Sequence, residues 1–162
     1  MTKASAHPDM TMPLAAPGGL RARLDALLTL SERVPLAPLQ LLFRGAIAGV
    51  FLRAGLQKVG SWESTVQLFL DEYKVPVLPP EAAAAMAASF EIGCSVLLLL
   101  GLFTRFATLP LLGMILVIQT FVYPQAWSEH LTWASILLFL FARGGGAIAA
   151  DRLLGIEPPA RW

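Results

Sequence analysis

Four long apolar segments constrain the fold more than any other feature of the chain. They occupy residues 39–57, 82–101, 106–123 and 127–143. A helix that crosses a bilayer needs about 20 predominantly apolar residues, within a range of about 17–25. The segments therefore predict four membrane-spanning helices, of which the fourth is the shortest. The glycine run 144–146 is expected to end that fourth helix.

The composition agrees with a membrane location. Hydrophobic residues make up 56% of the chain and charged residues 14%, whereas soluble domains have about 45–50% and about 25%. The net charge of +1 provides no field that would attract nucleic acid. A single cysteine, Cys94, excludes an intramolecular disulfide and the paired-cysteine metal motifs. We therefore expect the lipid bilayer as a partner, with no nucleic acid and no metal site.

The remaining segments complete an all-α architecture. Residues 1–19, rich in Ala, Pro, Met and Thr, are expected to form a disordered tail, and 155–162 a second tail. Apolar residues at helical spacing predict an amphipathic helix over 20–36 and another over 61–73, between the first two spans. Residues 37–154 would then form one antiparallel four-helix membrane bundle, with these short amphipathic helices on its surface.

The distribution of positive charge predicts the orientation. Two flanking cations fall on one side of the predicted spans, Lys58 and Lys74, and eight fall on the other: Lys3, Arg21, Arg23, Arg33, Arg105, Arg143, Arg152 and Arg161. Cytoplasmic segments carry the excess of Lys and Arg. The pattern therefore predicts a multi-pass protein of the cell inner (plasma) membrane with both termini in the cytoplasm.

Three charged residues lie within the first two apolar segments. Glu91 falls near the middle of the second span, where an ionised carboxylate costs at least about 2.5–3.5 kcal/mol. Arg44 and Arg53 lie in the first span, its expected antiparallel neighbour, so we expect one of them to be the counter-charge of Glu91. The set predicts either a buried ion pair that fixes helix register or a polar cavity that binds a headgroup, a quinone or a proton.

Other polar residues near the predicted outer surface define a second candidate site. Lys58, Gln119 and His130 could line an outer pocket. The alternative is that His130 is a solvated residue at the membrane boundary and that Gln119 bonds a neighbouring helix. No catalytic triad or phosphate-binding loop occurs in the sequence.

The motifs together resemble the DoxX family of small four-span membrane proteins. The matching stretches are "FRGAIAGVFLRAGLQKVG", "KVPVLPPE", "FEIGCSVLLLLGLFTRFATLPLLGMIL" and "FARGGGAIAADRLL", between about Leu39 and Leu154. In the last stretch Ala150 stands where the family has a leucine before the aspartate. The resemblance implies an antiparallel four-helix bundle. It also implies relatives that are small subunits of quinone-linked complexes or accompany thiol-redox, oxidative-stress or metal-handling proteins.

The sequence and the resemblance together predict a small membrane subunit that serves a quinone-linked or thiol/oxidative-stress redox system. Its intramembrane polar site would be formed by Arg44, Arg53 and Glu91. Quinone is the cofactor that the resemblance implies, whereas the residues identify neither an enzymatic activity nor catalytic residues. The alternative is a non-catalytic membrane anchor or scaffold for a partner protein. In either case we expect a protein partner or a homo-oligomer. A small transporter or proton pathway is a weaker alternative, because the chain has no internal repeat.

Overall fold

Helices account for all the regular secondary structure in the described part of the chain. A computed structural model describes residues 19–32, 34–74 and 76–156. Its helices are α1 (Leu20–Glu32), α2 (Leu36–Gly60), α3 (Trp62–Leu68), α4 (Pro80–Leu100), α5 (Thr104–Val117), α6 (Trp127–Arg143) and α7 (Ala150–Leu153). One π-helical turn, Phe69–Tyr73, extends α3, and another, Ile118–Val122, extends α5; a 3₁₀ turn, Pro124–Ala126, precedes α6. The all-α prediction is confirmed.

Three of these helices are long and apolar enough to cross a membrane. They are Leu36–Gly60, Pro80–Leu100 and Thr104–Val122, the last including its π-helical turn. α6 has 17 residues, or about 26 Å at 1.5 Å per residue, which is less than the hydrocarbon core of about 30 Å. Its end at Arg143, followed by Gly144 with φ of 72°, confirms that the glycine run stops the helix.

The first helix boundaries differ from the predicted ones because of proline. α1 ends at Glu32, before the predicted end at residue 36, and α2 begins directly after Pro35. Pro38 is accommodated in the first turn of α2, where a backbone N–H would have no helical partner. The predicted tails, 1–19 and 155–162, lie almost entirely outside the described residues.

The chain divides into two units, Met1–Val34 and Pro35–Trp162. In the first unit, α1 exposes leucines that recur at helical spacing, namely Leu20, Leu24 and Leu27. The second unit contains the long helices. There α2 packs against α4 and α6, and α5 packs between α4 and α6.

Two close contacts show that α2 and α4 run antiparallel. Gly55 of α2 lies against Glu91 of α4, because an added Cβ on Gly55 would be 2.9 Å from the Glu91 Cβ. Arg44 lies against Gly101, just past the end of α4. Residue numbers thus rise along α2 while they fall along α4. We call the end at which α2 meets α3 the α3 end, and the end at which α2 begins the α7 end.

An apolar core separates these two ends. Edge-to-face aromatic pairs, Phe43–Phe139 and Phe51–Trp133, join α2 to α6. The buried core residues are Ile47, Ala48, Phe51, Cys94, Leu98, Ala107, Leu111, Ile115, Leu137 and Leu140. At the α3 end, buried Phe69 packs against alanines of α4 and joins the amphipathic helix predicted over 61–73 to that helix.

Candidate functional site

A buried ion pair lies at the α3 end. The Lys58 ammonium donates hydrogen bonds to both Glu91 carboxylate oxygens, at 2.7 Å to Oε1 and 2.8 Å to Oε2. The Glu91 side chain is 3% exposed and that of Lys58 is 18% exposed. An ammonium has three N–H donors, so one remains for a further acceptor.

The prediction that an arginine of the first span is the counter-charge of Glu91 is wrong, since Lys58 makes this contact. The reason is the position of each residue around the α2 axis. Lys58 lies three residues beyond Gly55, the residue that touches Glu91, and helical side chains lean toward the N-terminus. Arg53 is two residues from Gly55, about 200° around the axis, and is exposed on the opposite face. Arg44 shares the Gly55 face but lies eleven residues, or about 16 Å, away along the helix.

A largely apolar cavity of about 680 Å³ adjoins the ion pair. Lys58 and His130 are among its polar lining residues, and its rim includes exposed apolar side chains such as Met86 and Phe90. The rest of the lining includes Phe69, Met114, Val117, Ile118, Val122 and Trp133. Its volume falls within the range of about 300–1,000 Å³ that is usual for small-molecule sites.

His130 is oriented by a hydrogen-bond chain. The Gln119 amide Nε2 donates to the Pro124 carbonyl at 2.9 Å, so the Gln119 Oε1 faces the His130 Nδ1 at 2.7 Å. Because an amide oxygen only accepts hydrogen bonds, Nδ1 carries the proton. In the neutral imidazole, Nε2 is then an acceptor. Two of the three predicted outer-pocket residues, Lys58 and His130, line the same cavity, and Gln119 supports His130.

Tyr73 and Tyr123 lie at the rim of this cavity with their rings edge to face, and their ring centroids are 5.8 Å apart. The Tyr123 hydroxyl donates to the Glu72 carboxylate, and this hydrogen bond raises the pKa of Tyr123. Burial raises the pKa of Tyr73. Both phenols therefore stay protonated at neutral pH.

A separate polar cluster joins the helix ends at the α7 end. Asp151 accepts hydrogen bonds from the Phe103 and Thr104 backbone N–H groups, at 2.7 and 2.9 Å, and so caps α5. The Arg44 Nη2 donates to the Ile148 carbonyl at 3.1 Å. Arg44 is 1% exposed and is attracted to the nearby Asp151 carboxylate. These contacts hold the segment that follows α6 against α2 and against the start of α5.

Glycine is required where the Arg44 guanidinium packs. Gly101 has φ of +69°, and a Cβ there would lie 1.7 Å from the Arg44 Nη1. At Gly146, with φ of +89°, an added Cβ would overlap the Gln40 side chain, which donates to the Gly144 carbonyl at 3.1 Å. Only glycine can adopt a left-handed φ and also leave the space of a Cβ free, without strain.

A family model described as DoxX matches residues 39–124, which is more than half of the chain. The chain belongs to the DoxX family. No curated protein and no solved structure matches it. The matched region runs from α2 to Pro124 and includes Lys58, Glu91 and Gln119, whereas His130 and Asp151 lie beyond it. With three candidate spans, this DoxX chain is a membrane protein.

Sequence reasoning placed Lys58 in the outer pocket but did not connect it with Glu91. The available signal was the helical spacing of Gly55 and Lys58 on the α2 face that carries buried Phe51. The role of Asp151 was also missed, although the glycine-rich segment and the aspartate of the DoxX resemblance marked its position. In the described part of the chain, no group of three His, Cys, Asp or Glu side chains could hold a metal ion.

Proposed function

We propose that this DoxX protein is a small membrane subunit that binds a quinone-type ligand in the cavity at the α3 end and so serves a quinone-linked redox system. The observation that carries the proposal is the cavity, in which an apolar, lipid-accessible space meets a charged donor. Lys58 supplies that donor, and exposed Met86 and Phe90 form part of the rim. A quinone entering from the membrane would require this combination of an apolar path and a polar end.

The polar groups suit both redox states of such a ligand. Quinone carbonyl oxygens accept hydrogen bonds, and the third Lys58 N–H is available to donate one, since Glu91 takes the other two. A quinol hydroxyl donates a hydrogen bond, and the Nε2 of neutral His130 can accept it because Nδ1 faces Gln119. A bound quinone supplies two-electron redox chemistry. The chain's own residues bind and orient its oxygen atoms.

Quinone binding can be measured on the purified full-length chain. Trp133 lines the cavity, so a short-chain quinone added to detergent-solubilised protein should quench its fluorescence saturably. Ala54→Leu should weaken binding at least about tenfold, because Ala54 also lines the cavity and a larger side chain would occupy it while leaving every polar group intact.

Lys58→Met should weaken binding to a similar extent, and Lys74→Met serves as the matched control, because Lys74 is exposed and is not among the cavity-lining residues. Unsaturable quenching, or equal affinity in wild type and Ala54→Leu, would refute the proposal.

The proposed membrane arrangement is an antiparallel bundle of four spans, with α6 as the fourth. Both termini would lie in the cytoplasm of a cell whose inner (plasma) membrane holds the protein, in agreement with the excess of Lys and Arg that the sequence predicts for that side. Arg143 could extend the short α6 by reaching the interface. Cysteine labelling at Ser64 and Ala160, in a Cys94-free chain, tests the orientation. Only Ser64 should react from outside intact cells.

A second candidate function is a membrane anchor for a partner protein. It is favoured by Arg53, an exposed charge on a candidate spanning helix. Purification in mild detergent distinguishes the two functions, since an anchor would retain a stoichiometric protein partner and no quinone.

A further inference from the structure

Arg53 places a charge on the outward face of α2. It is exposed, as are Leu42 and Leu56 on the same face. Gly49 and Gly45 lie four and eight residues before it, and a Cβ added to either glycine would meet nothing within 4 Å. We call these five residues the α2 outer face. Within the unit Pro35–Trp162, no other helix of the described residues covers it.

The direction of α2 disfavours the conformation in which a long cationic side chain such as that of Arg53 extends to water at the membrane surface. Arg53 lies seven residues, or about 10 Å, before Gly60, so the nearer helix end is the C-terminal one. The Cα–Cβ bonds of a helix tilt toward its N-terminus, so the Cα–Cβ bond of Arg53 points away from this nearer end. Lys58 leans the same way when it reaches Glu91. A guanidinium in hydrocarbon is strongly disfavoured without a partner.

Within the unit Pro35–Trp162, the described residues provide no counter-charge for Arg53. The carboxylate within the neighbouring span, Glu91, is bonded through both oxygens to Lys58. Glu81 lies in the first turn of α4, ten residues before Glu91. A second copy packed symmetrically on this face would bring two Arg53 side chains together, which like-charge repulsion disfavours.

We propose that the α2 outer face docks a transmembrane helix of a different protein, whose carboxylate pairs with Arg53 and whose backbone approaches at Gly45 and Gly49. The open glycines allow the close backbone approach on which helix association in lipid depends. The charge at Arg53 determines which helix binds. The partner therefore carries an acidic residue at a matching depth.

The proposal can be tested with the full-length chain reconstituted in phosphatidylcholine vesicles. Two leucine-rich transmembrane peptides serve as probes. Each contains a Gly-xxx-Gly pair followed four residues later by Glu or by Gln, which matches the spacing of Gly45, Gly49 and Arg53. Energy transfer between labelled chain and labelled peptide measures association.

The Glu peptide should associate about tenfold more tightly than the Gln peptide. Arg53→Leu should abolish this difference, and Gly49→Leu should weaken the association of both peptides. The control Lys74→Gln should retain the wild-type preference, because Lys74 lies outside the spans. Since Arg53 is exposed, Arg53→Leu and a second variant, Arg53→Gln, should unfold at the wild-type temperature.

Equal association of the two peptides with the wild-type chain would overturn the proposal. So would a preference for Glu that persists in both Arg53 variants. Energy transfer between two labelled copies of the chain that Gly49→Leu abolishes would also overturn it, because the face would then be occupied by a second copy.

Discussion

Removing the Lys58 side-chain charge should destabilise the protein more than removing the charge of Glu91. Breaking a buried ion pair costs about 3–5 kcal/mol, because the remaining charge is uncompensated. Lys58→Met leaves Glu91, 3% exposed, without a partner or water, so we expect a cost of about 4 kcal/mol. Glu91→Gln leaves the ammonium of Lys58, 18% exposed, with some water and an amide oxygen. For that variant we expect about 2 kcal/mol.

The double variant should cost less than the sum of the single ones, because neither charge then remains buried alone. We expect a coupling free energy of about 2 kcal/mol between the two positions. The measurement is the free energy of unfolding in mixed micelles at neutral pH, followed by circular dichroism of the helices. Lys74→Met, at an exposed position, should change it by less than about 0.5 kcal/mol.

Two results would refute this reasoning. If Lys58→Met costs less than Glu91→Gln, the carboxylate has access to water or to another cation. If the two costs simply add, the side chains do not interact in the folded protein.

Three further changes test the remaining polar contacts. Gly101→Ala should cost about 3 kcal/mol in the same unfolding assay, because it combines a left-handed φ with a Cβ 1.7 Å from the Arg44 Nη1. The control Gly49→Ala, at a position with open space, should leave the free energy of unfolding unchanged. Asp151→Asn should cost about 2 kcal/mol, since it weakens two hydrogen bonds to backbone N–H groups; an unchanged unfolding midpoint would argue against the cap. Stability should fall above pH 10 more steeply in the wild type than in Tyr123→Phe, because the raised pKa of Tyr123 means that the unfolded chain releases this proton first. Parallel curves from pH 9 to 11 would contradict that assignment.

The sequence was sufficient for features that depend on local pattern. Apolar length predicted four spans, and three helices are long and apolar enough to cross a membrane. The depth of Glu91 in its segment predicted a buried carboxylate, and Gly144, in the predicted glycine stop, follows the last residue of α6. To identify the counter-charge of Glu91, one must also know a tertiary contact, namely which residue of α2 touches Glu91. Gly55 makes that contact, whereas Gly45 and Gly49 of the same helix remain open, so a glycine by itself does not identify the contact.

The cluster at the α7 end depends even more on tertiary structure. Arg44 and Asp151 come from opposite ends of the membrane domain, and Asp151 acts on the N-terminus of a helix that begins 47 residues earlier. Helical periodicity describes one segment at a time, so it cannot report a cap supplied from so far along the chain. The left-handed Gly101 next to Arg44 likewise becomes meaningful only after the helix ends have met.

The antiparallel contact between α2 and α4 also restricts how the chain length can vary. Gly55 meets Glu91 and Arg44 meets Gly101, so eleven residues of one helix are matched to ten of the other between two fixed points. Inserting or deleting one residue between these points rotates everything beyond it by about 100° and shifts it by about 1.5 Å. Either the ion pair at Lys58 or the packing of Arg44 would then be lost. Length variation among homologues should therefore fall outside residues 44–55 and 91–101, in the connections between the helices.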